Sequence, residues 1–114
     1  MSSLRNRVHL IGNVGGDPEV KSFDNNRKLV RFSLATNENY RNGNGEKITD
    51  TQWHQIVAWN KTAELAEKLI TKGRELAVEG KLVTRNYEDS KGEKRYATEV
   101  VINEFVLTGS KPAE

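Results

Sequence analysis

Trp53 and Trp59 stand six positions apart in the stretch Thr51-Gln52-Trp53-His54-Gln55-Ile56-Val57-Ala58-Trp59. Strand side chains alternate between faces, so an extended backbone here projects both indoles from one side and His54, Ile56 and Ala58 from the other. Ile56 and Ala58 are apolar and spaced for burial, so that parity supplies the core without the tryptophans. The tryptophan side also carries Gln55 and Val57 and is free to be a surface or an interface. The chemistry open to two flat rings on a surface is stacking on unpaired bases. Each stacked base contributes about 1–3 kcal/mol, and every base has a π face, so such stacking reads no sequence. Duplex DNA hides those faces. The competing reading is that both indoles fill a core, where aromatic rings commonly dominate the energetics.

Two further aromatics, Tyr40 and Tyr87, sit at the bases of loops, and Tyr87 shares its strand parity with Arg85. Nearby in sequence lie Arg41, Lys47, Lys61, Lys72, Arg85, Lys91, Lys94 and Arg95. Any one of these cations reads as a solvated surface charge. Interleaved with aromatic rings, they form the combination that tracks a single nucleic-acid strand. Phe23, Phe32 and Phe105 are expected in the core, and Tyr96 fits either setting.

Other chemistries lack their residues. His9 and His54 are the only histidines and belong to different strands, so a metal site would need carboxylates from scattered positions, and none is expected. His54 shares the parity of Ile56 and Ala58, which points it inward or toward a subunit contact. Gly12-Asn13-Val14-Gly15-Gly16-Asp17-Pro18 is glycine-rich but lacks the lysine and hydroxyl residue of a phosphate loop, and no helix follows it, so it reads as a turn. Asp17, Glu19, Asp24, Asp50, Glu88, Asp89 and Glu99 are expected largely in loops and turns, with no acid/base pattern. No nucleophile elbow is present. Neither an enzyme nor a cofactor is implied.

The elements that must position these residues follow from periodicity. Residues 7–14 alternate as a strand, with Val8, Leu10 and Gly12 on one face. A short extended piece spans 19–23, and Asp24-Asn25-Asn26 is turn chemistry. Residues 28–40 form a long half-buried strand with Val30, Phe32, Leu34 and Thr36 inward and Arg31, Ser33, Ala35 and Asn37 outward. A polar loop at 41–46 leads to a return strand over 47–59. The one convincing helix covers 62–70, with Thr62 as N-cap, apolar residues at 63, 66, 69 and 70, and Gly73 as the stop. Leu76, Val78, Gly80, Leu82 and Thr84 form one face of the next strand. Residues 88–94 are a second polar loop, and residues 95–107 the last strand. The order read from these segments is three strands, a helix and two strands, with the helix between the third and fourth. It is that of an all-β, five-stranded oligonucleotide-binding barrel with Greek-key connections.

Composition sets the outer bounds. A chain of 114 residues makes one domain with one modest core. Domain boundaries are expected at 1–107, with a short polar tail over 108–114. Hydrophobic residues make up 35% and charged residues 30%, and mean hydropathy is −0.74, so no run approaches membrane-spanning length and no membrane partner is implied. The net charge of +2 is too small to name a polyanion partner, so placement of the charge must decide. The absence of cysteine excludes a disulfide framework. Met1-Ser2-Ser3-Leu4-Arg5-Asn6-Arg7 has no apolar signal segment behind its basic residues, which reads as cytoplasmic.

An ordered series of motifs resembles the bacterial single-stranded DNA-binding proteins. It comprises Gly12 through Glu19, Phe32-Ser33-Leu34-Ala35-Thr36-Asn37, Thr51-Gln52-Trp53-His54, Lys72-Gly73 through Glu79-Gly80-Lys81-Leu82, and Arg95 through Val101. The resemblance covers nearly the whole chain. It implies a non-enzymatic homotetramer of oligonucleotide-binding folds around which single-stranded DNA wraps in replication, recombination and repair, in the cytoplasm and at the nucleoid. The family's stacking positions fall on Tyr40, Trp53, Trp59 and Tyr87, its basic contacts on Lys61, Lys72 and Arg85, and its subunit-contact histidine on His54. Tyr40 and Tyr87 stand where the family often has tryptophan and Trp59 where it often has phenylalanine. Gln55 and Asn86 replace common basic residues. The family usually continues into a flexible linker with an acidic tip that recruits replication and repair proteins. The sequence given runs to Glu114 without it, so such partners are expected only where the native protein carries that tip. Two other readings use the same fold: an RNA-binding or primosome-accessory protein, and a protein-interaction barrel whose tryptophan face is an oligomer interface.

Overall fold

The computed structural model describes residues 4–109. Residues 1–3 and 110–114, which hold the start of the expected cytoplasmic N-terminus and most of the expected tail, lie outside the described residues. Six strands and one helix follow in the order β1 (Val8–Val14), β2 (Glu19–Phe23), β3 (Arg27–Arg41), β4 (Lys47–Trp59), α1 (Asn60–Leu69), β5 (Glu75–Glu88) and β6 (Lys94–Leu107). The sheet order is β1-β5-β6-β4-β3-β2, and β1 also pairs with β3, so the sheet closes on itself as a ring. β4 and β6 run parallel, through Ile56↔Val100 and Val57↔Val101, and the other pairs are antiparallel. The oligonucleotide-binding topology read from the sequence accounts for this ring, and β2 is the short extra strand paired to the outside of β3.

Closure depends on a close approach. β1 reaches β3 at only two positions, Asn13↔Ala35 and Val14↔Leu34. A Cβ on Gly12 would lie 2.2 Å from the Ala35 carbonyl oxygen. Ala35, expected outward, is buried because β1 crosses over it.

Inside the ring, Val30, Phe32 and Leu34 of β3 meet Ile56 and Ala58 of β4, Leu76 and Val78 of β5, and Val100 and Ile102 of β6. Each of the Val, Leu, Ile and Phe side chains contributes about 1.5–3 kcal/mol by leaving water. α1 adds Ala63, Ala66 and the following Ile70 to this core. β6 serves the core in two phases. Phe105 and Leu107 pair with Val78 and Leu76, while Val100 and Ile102 pair with Leu82 and Gly80, and a bulge at Glu79/Gly80 leaves Asn103 as the extra residue. A Cβ on Gly80 would lie 2.2 Å from the Val101 carbonyl oxygen, so the bulge needs glycine there.

Several local expectations are corrected. The helix starts at Asn60, not at a Thr62 cap: β4 runs straight into it, Trp59 occupies the cap position without a side-chain cap bond, and Asn60 turns the chain at φ 54°. Leu69 is exposed, because the helix presents only its Ala63 and Ala66 side to the core. Leu82 has inward parity yet is exposed, since β5 and β6 leave the core there as a projecting ribbon. Phe23 is exposed on β2, whose five residues all face solvent, while Phe32 is buried and Phe105 packs against the core. Asp50, Glu19, Glu88 and Glu99 lie in strands rather than in loops.

Gly12→Ala is expected to lower stability by about 1–3 kcal/mol, because the new methyl must displace backbone. Gly16, whose Cβ would meet nothing within 4 Å, should accept alanine within about 0.5 kcal/mol. Urea unfolding of the two variants checks this, and equal midpoints would mean that β1 does not press on β3.

Candidate nucleic-acid interface

Alternation along β4 works as the sequence suggests at its middle: Ile56 and Ala58 are fully buried, Trp53 is 60% exposed and Gln55 is exposed. Val57, on the tryptophan side, is also buried. Trp53 pairs with Ala35 of β3, and its ring rests on the glycine turn after β1. A Cβ on Gly15 would lie 2.4 Å from Trp53 Cζ3 and 2.8 Å from Ser33 Oγ. The indole is therefore seated against backbone from below and open above.

The same outward face continues up the β3–β4 ribbon through the pairs Asn37↔Thr51, Asn39↔Thr49 and Arg41↔Lys47. Thr51 Oγ1 donates to Asn37 Oδ1 at 2.6 Å and Thr49 Oγ1 to Asn39 Oδ1 at 2.8 Å. A strip thus runs from an indole over two neutral hydrogen-bonded pairs to two cations at the tip. Tyr40 has the opposite parity, beside Ile48, and is 52% exposed. The ribbon stands clear of the core, so both of its faces are open.

Trp59 lies about 20 Å further down β4. It is half-buried: Phe23 stacks on it with ring centroids 6.1 Å apart and planes at 27°, and the Arg27 guanidinium sits 5.2 Å from its ring centroid. Lys61, two residues on, is exposed on α1. Lys72 is exposed as well, and its segment is tied to the turn that seats Trp53. The Lys72 N–H donates to Asp17 Oδ1 at 3.4 Å and the Gly73 N–H to the Val14 carbonyl at 2.8 Å.

Arg85 and Tyr87 share a face of β5, as parity implies, and the Arg85 guanidinium lies 5.3 Å from the Tyr87 ring centroid. Tyr87 is 42% exposed. Arg85 Nε also donates to Oε1 of Glu99 at 3.1 Å, and Arg31 Nη2 lies 3.6 Å from Glu99 Oε2. Glu99, only 8% exposed, is thus shared by two guanidiniums from β3 and β5, and the patch keeps a net positive charge. Sequence reasoning missed Arg31 and Glu99 as members of this surface. Their contact joins β3 to β6, and only the outward parity of Arg31 hinted at it.

The two ribbon tips use one loop design twice. In the first, Asn42 Oδ1 accepts the N–H groups of Asn44 and Glu46 at 2.9 and 3.0 Å, and Gly45 takes φ 78°. In the second, Asp89 Oδ1 accepts those of Lys91 and Glu93 at 2.9 and 3.0 Å, and Gly92 takes φ 78°. Tyr40 and Tyr87 each precede their loop's Asx residue by two positions. A hydrogen bond from Arg95, followed by the Glu93 N–H, holds the Asp89 carboxyl below its ordinary range, against a smaller upward push from burial. The second tip is therefore fixed by a charged Asx turn.

His54 is half-buried opposite Leu34, with Nε2 3.0 Å from Thr36 Oγ1. It belongs to the face away from Trp53. Tyr96 is exposed on the side of the β5–β6 ribbon opposite Tyr87, beside Asn86. Among the described residues no group of three His, Cys, Asp or Glu is placed to hold a metal ion, and no helix is long and apolar enough to cross a membrane.

Comparison with known proteins adds to this geometry. The family model of the single-strand binding protein family matches residues 5–108. The chain is 41% identical over 107 residues to single-stranded DNA-binding protein 1 of Chlorobaculum tepidum, a match covering 93% of this chain and 66% of that protein. It is 44% identical over 110 residues to the single-stranded DNA-binding protein of Bacteroides thetaiotaomicron, covering 95% and 68%. The chain thus spans about two thirds of the length of these relatives. A solved structure described as the Plasmodium falciparum SSB complex with ssDNA is similar with a TM-score of 0.84 at 33% identity, over 96% of this chain and 98% of that one.

Proposed function

The chain belongs to the single-strand binding protein family, and on that premise we propose that it binds single-stranded DNA without strong sequence preference. Bases stack on Trp53, Tyr40 and Tyr87, Trp59 serves the far end of the surface through the Phe23 ring and Arg27 guanidinium packed on it, and Lys61, Lys72 and Arg85 supply positive charge to the phosphates. The observation that carries this reading is Trp53, an indole 60% exposed on a strand whose opposite parity fully buries Ile56 and Ala58. Its seat on Gly15 backs the ring without drawing on the core, which is what a stacking platform requires. Support also comes from the relatives, whose names state single-stranded DNA binding, and from the solved neighbour in complex with ssDNA. The role is protection of exposed strands during replication, recombination and repair, in the cytoplasm at the nucleoid, as a binding protein rather than an enzyme. Recruitment of other replication and repair proteins would need an acidic tip in the native protein.

The chain acts as a homotetramer in this proposal. Support for self-association lies on the outer side of β1, β5 and β6. There Ile11, Ala77 and Val106 line up across three strands, with Ile11 65% and Val106 62% exposed. Glu79, Glu104 and His9 form the adjoining row. Burial pushes the Glu79 carboxyl up, but the Arg7 guanidinium, with Nε 3.1 Å from Oε1, leaves it below its ordinary range. From Val8 to Gly12, β1 has no strand on its second edge among the described residues. Such an edge invites pairing, and a second copy covers edge and apolar row together. His54 is the histidine that the family resemblance places at a subunit contact.

Trp53→Ala is expected to weaken binding to oligo-dT by about 1–3 kcal/mol, with an unchanged urea midpoint, as read by anisotropy of a labelled oligonucleotide. Affinity should fall with salt by a slope of about −0.7 per neutralised phosphate, and a flat response would put the cations outside the groove. Ile11→Glu with Val106→Glu should shift sedimentation at low concentration to smaller species; an unaltered tetramer would exclude this face from the assembly.

A further inference from the structure

The end of the site near Trp59 carries more than the aromatic and the lysine found by sequence. We propose that Phe23 and Arg27 form a nucleotide site of their own on single-stranded DNA, with Phe23 stacking a base, Arg27 meeting the adjoining phosphate and Trp59 backing both. This deepens the single-strand reading and rests on it. Phe23 is 46% exposed on a strand with no buried residue, although the core has places for phenylalanine and uses them for Phe32 and Phe105. The ring is nonetheless fixed. Phe23 pairs with Arg27 across a three-residue turn whose Asn25 and Asn26 adopt φ 66° and 60°, and it stacks on Trp59 at 6.1 Å.

The Trp59 ring already has two occupants, Phe23 and the Arg27 guanidinium at 5.2 Å, and is half-buried. It offers a base less open ring than Phe23, which is 46% exposed. The outward aromatic surface at this end therefore belongs to Phe23. Arg27 is available in a way its neighbour is not. Lys28 Nζ lies 2.6 Å from Glu67 Oε1, a hydrogen bond that raises the lysine's pKa, whereas Arg27 has no carboxylate within 4.0 Å among the described residues. A guanidinium lying on an indole keeps its edge N–H groups free for the paired oxygens of a phosphate. Phe23, Trp59 and Arg27 thus repeat, on the β2–β3 turn, the pairing of ring and cation seen at Tyr87 and Arg85.

The test uses the full chain and oligo-dT. Phe23→Ala should weaken binding about 5- to 150-fold, Phe23→Tyr should restore it, and Arg27→Gln should reduce the salt slope by about 0.7. A second measurement reads contact at position 23 directly. In a Trp53→Phe, Trp59→Phe background, Phe23→Trp places the only indole at the site, and oligo-dT should quench it. Wild-type affinity in Phe23→Ala, or an unquenched indole at position 23 in a chain that still binds by anisotropy, overturns this proposal while leaving the single-strand reading intact. Failure of the wild-type chain to bind oligo-dT at all overturns both.

Discussion

The approach of Gly12 to the Ala35 carbonyl is the contact on which the rest depends. With a hydrogen in place of a side chain, β1 can lie across β3 closely enough to pair at Asn13 and Val14, and those two pairs convert an open sheet into a ring. Closure buries Ala35 and brings the turn after β1 under the strand partner of Ala35, which is Trp53. Gly15 then forms the seat of the indole. One steric allowance thus sets both the core and the central ring of the proposed binding face.

From that ring outward the surface is organised by cross-strand pairing. β3 and β4, and likewise β5 and β6, continue past the core as ribbons, each ended by the same Asx-capped loop with a tyrosine at its base. Glu99 holds Arg31 and Arg85 between them. A carboxylate in a positive groove looks counterproductive for a polyanion ligand. Buried beneath two guanidiniums, it orients one of them on Tyr87 and leaves the pair with an excess positive charge. Exposed rings and oriented cations are an unfavourable use of surface for the free protein, and in the proposed function stacking with phosphate neutralisation is the interaction that offsets it.

Much of this was legible in the sequence because strand parity is a strict rule. The inward assignment of Ile56 and Ala58, the outward Trp53, the shared face of Arg85 and Tyr87, and the closed five-strand order all follow from alternation and turn chemistry. What escaped were features set by distant partners. Asn60 begins the helix in a left-handed conformation that no capping pattern announces. The bulge opposite Gly80 lets both phases of β6 reach the core. Phe23 reads as a core residue until its strand is seen to lie outside β3, and Arg31 and Glu99 meet only across the sheet.

The most direct measurement is a titration of the intact chain with oligo-dT followed by tryptophan fluorescence, with matched duplex DNA and single-stranded RNA as competitors. The account predicts strong quenching that the duplex does not reverse, since only unpaired bases offer a face to Trp53. An indole emission unaffected by oligo-dT would mean that the tryptophan face serves a protein partner, and the stacking account would be contradicted.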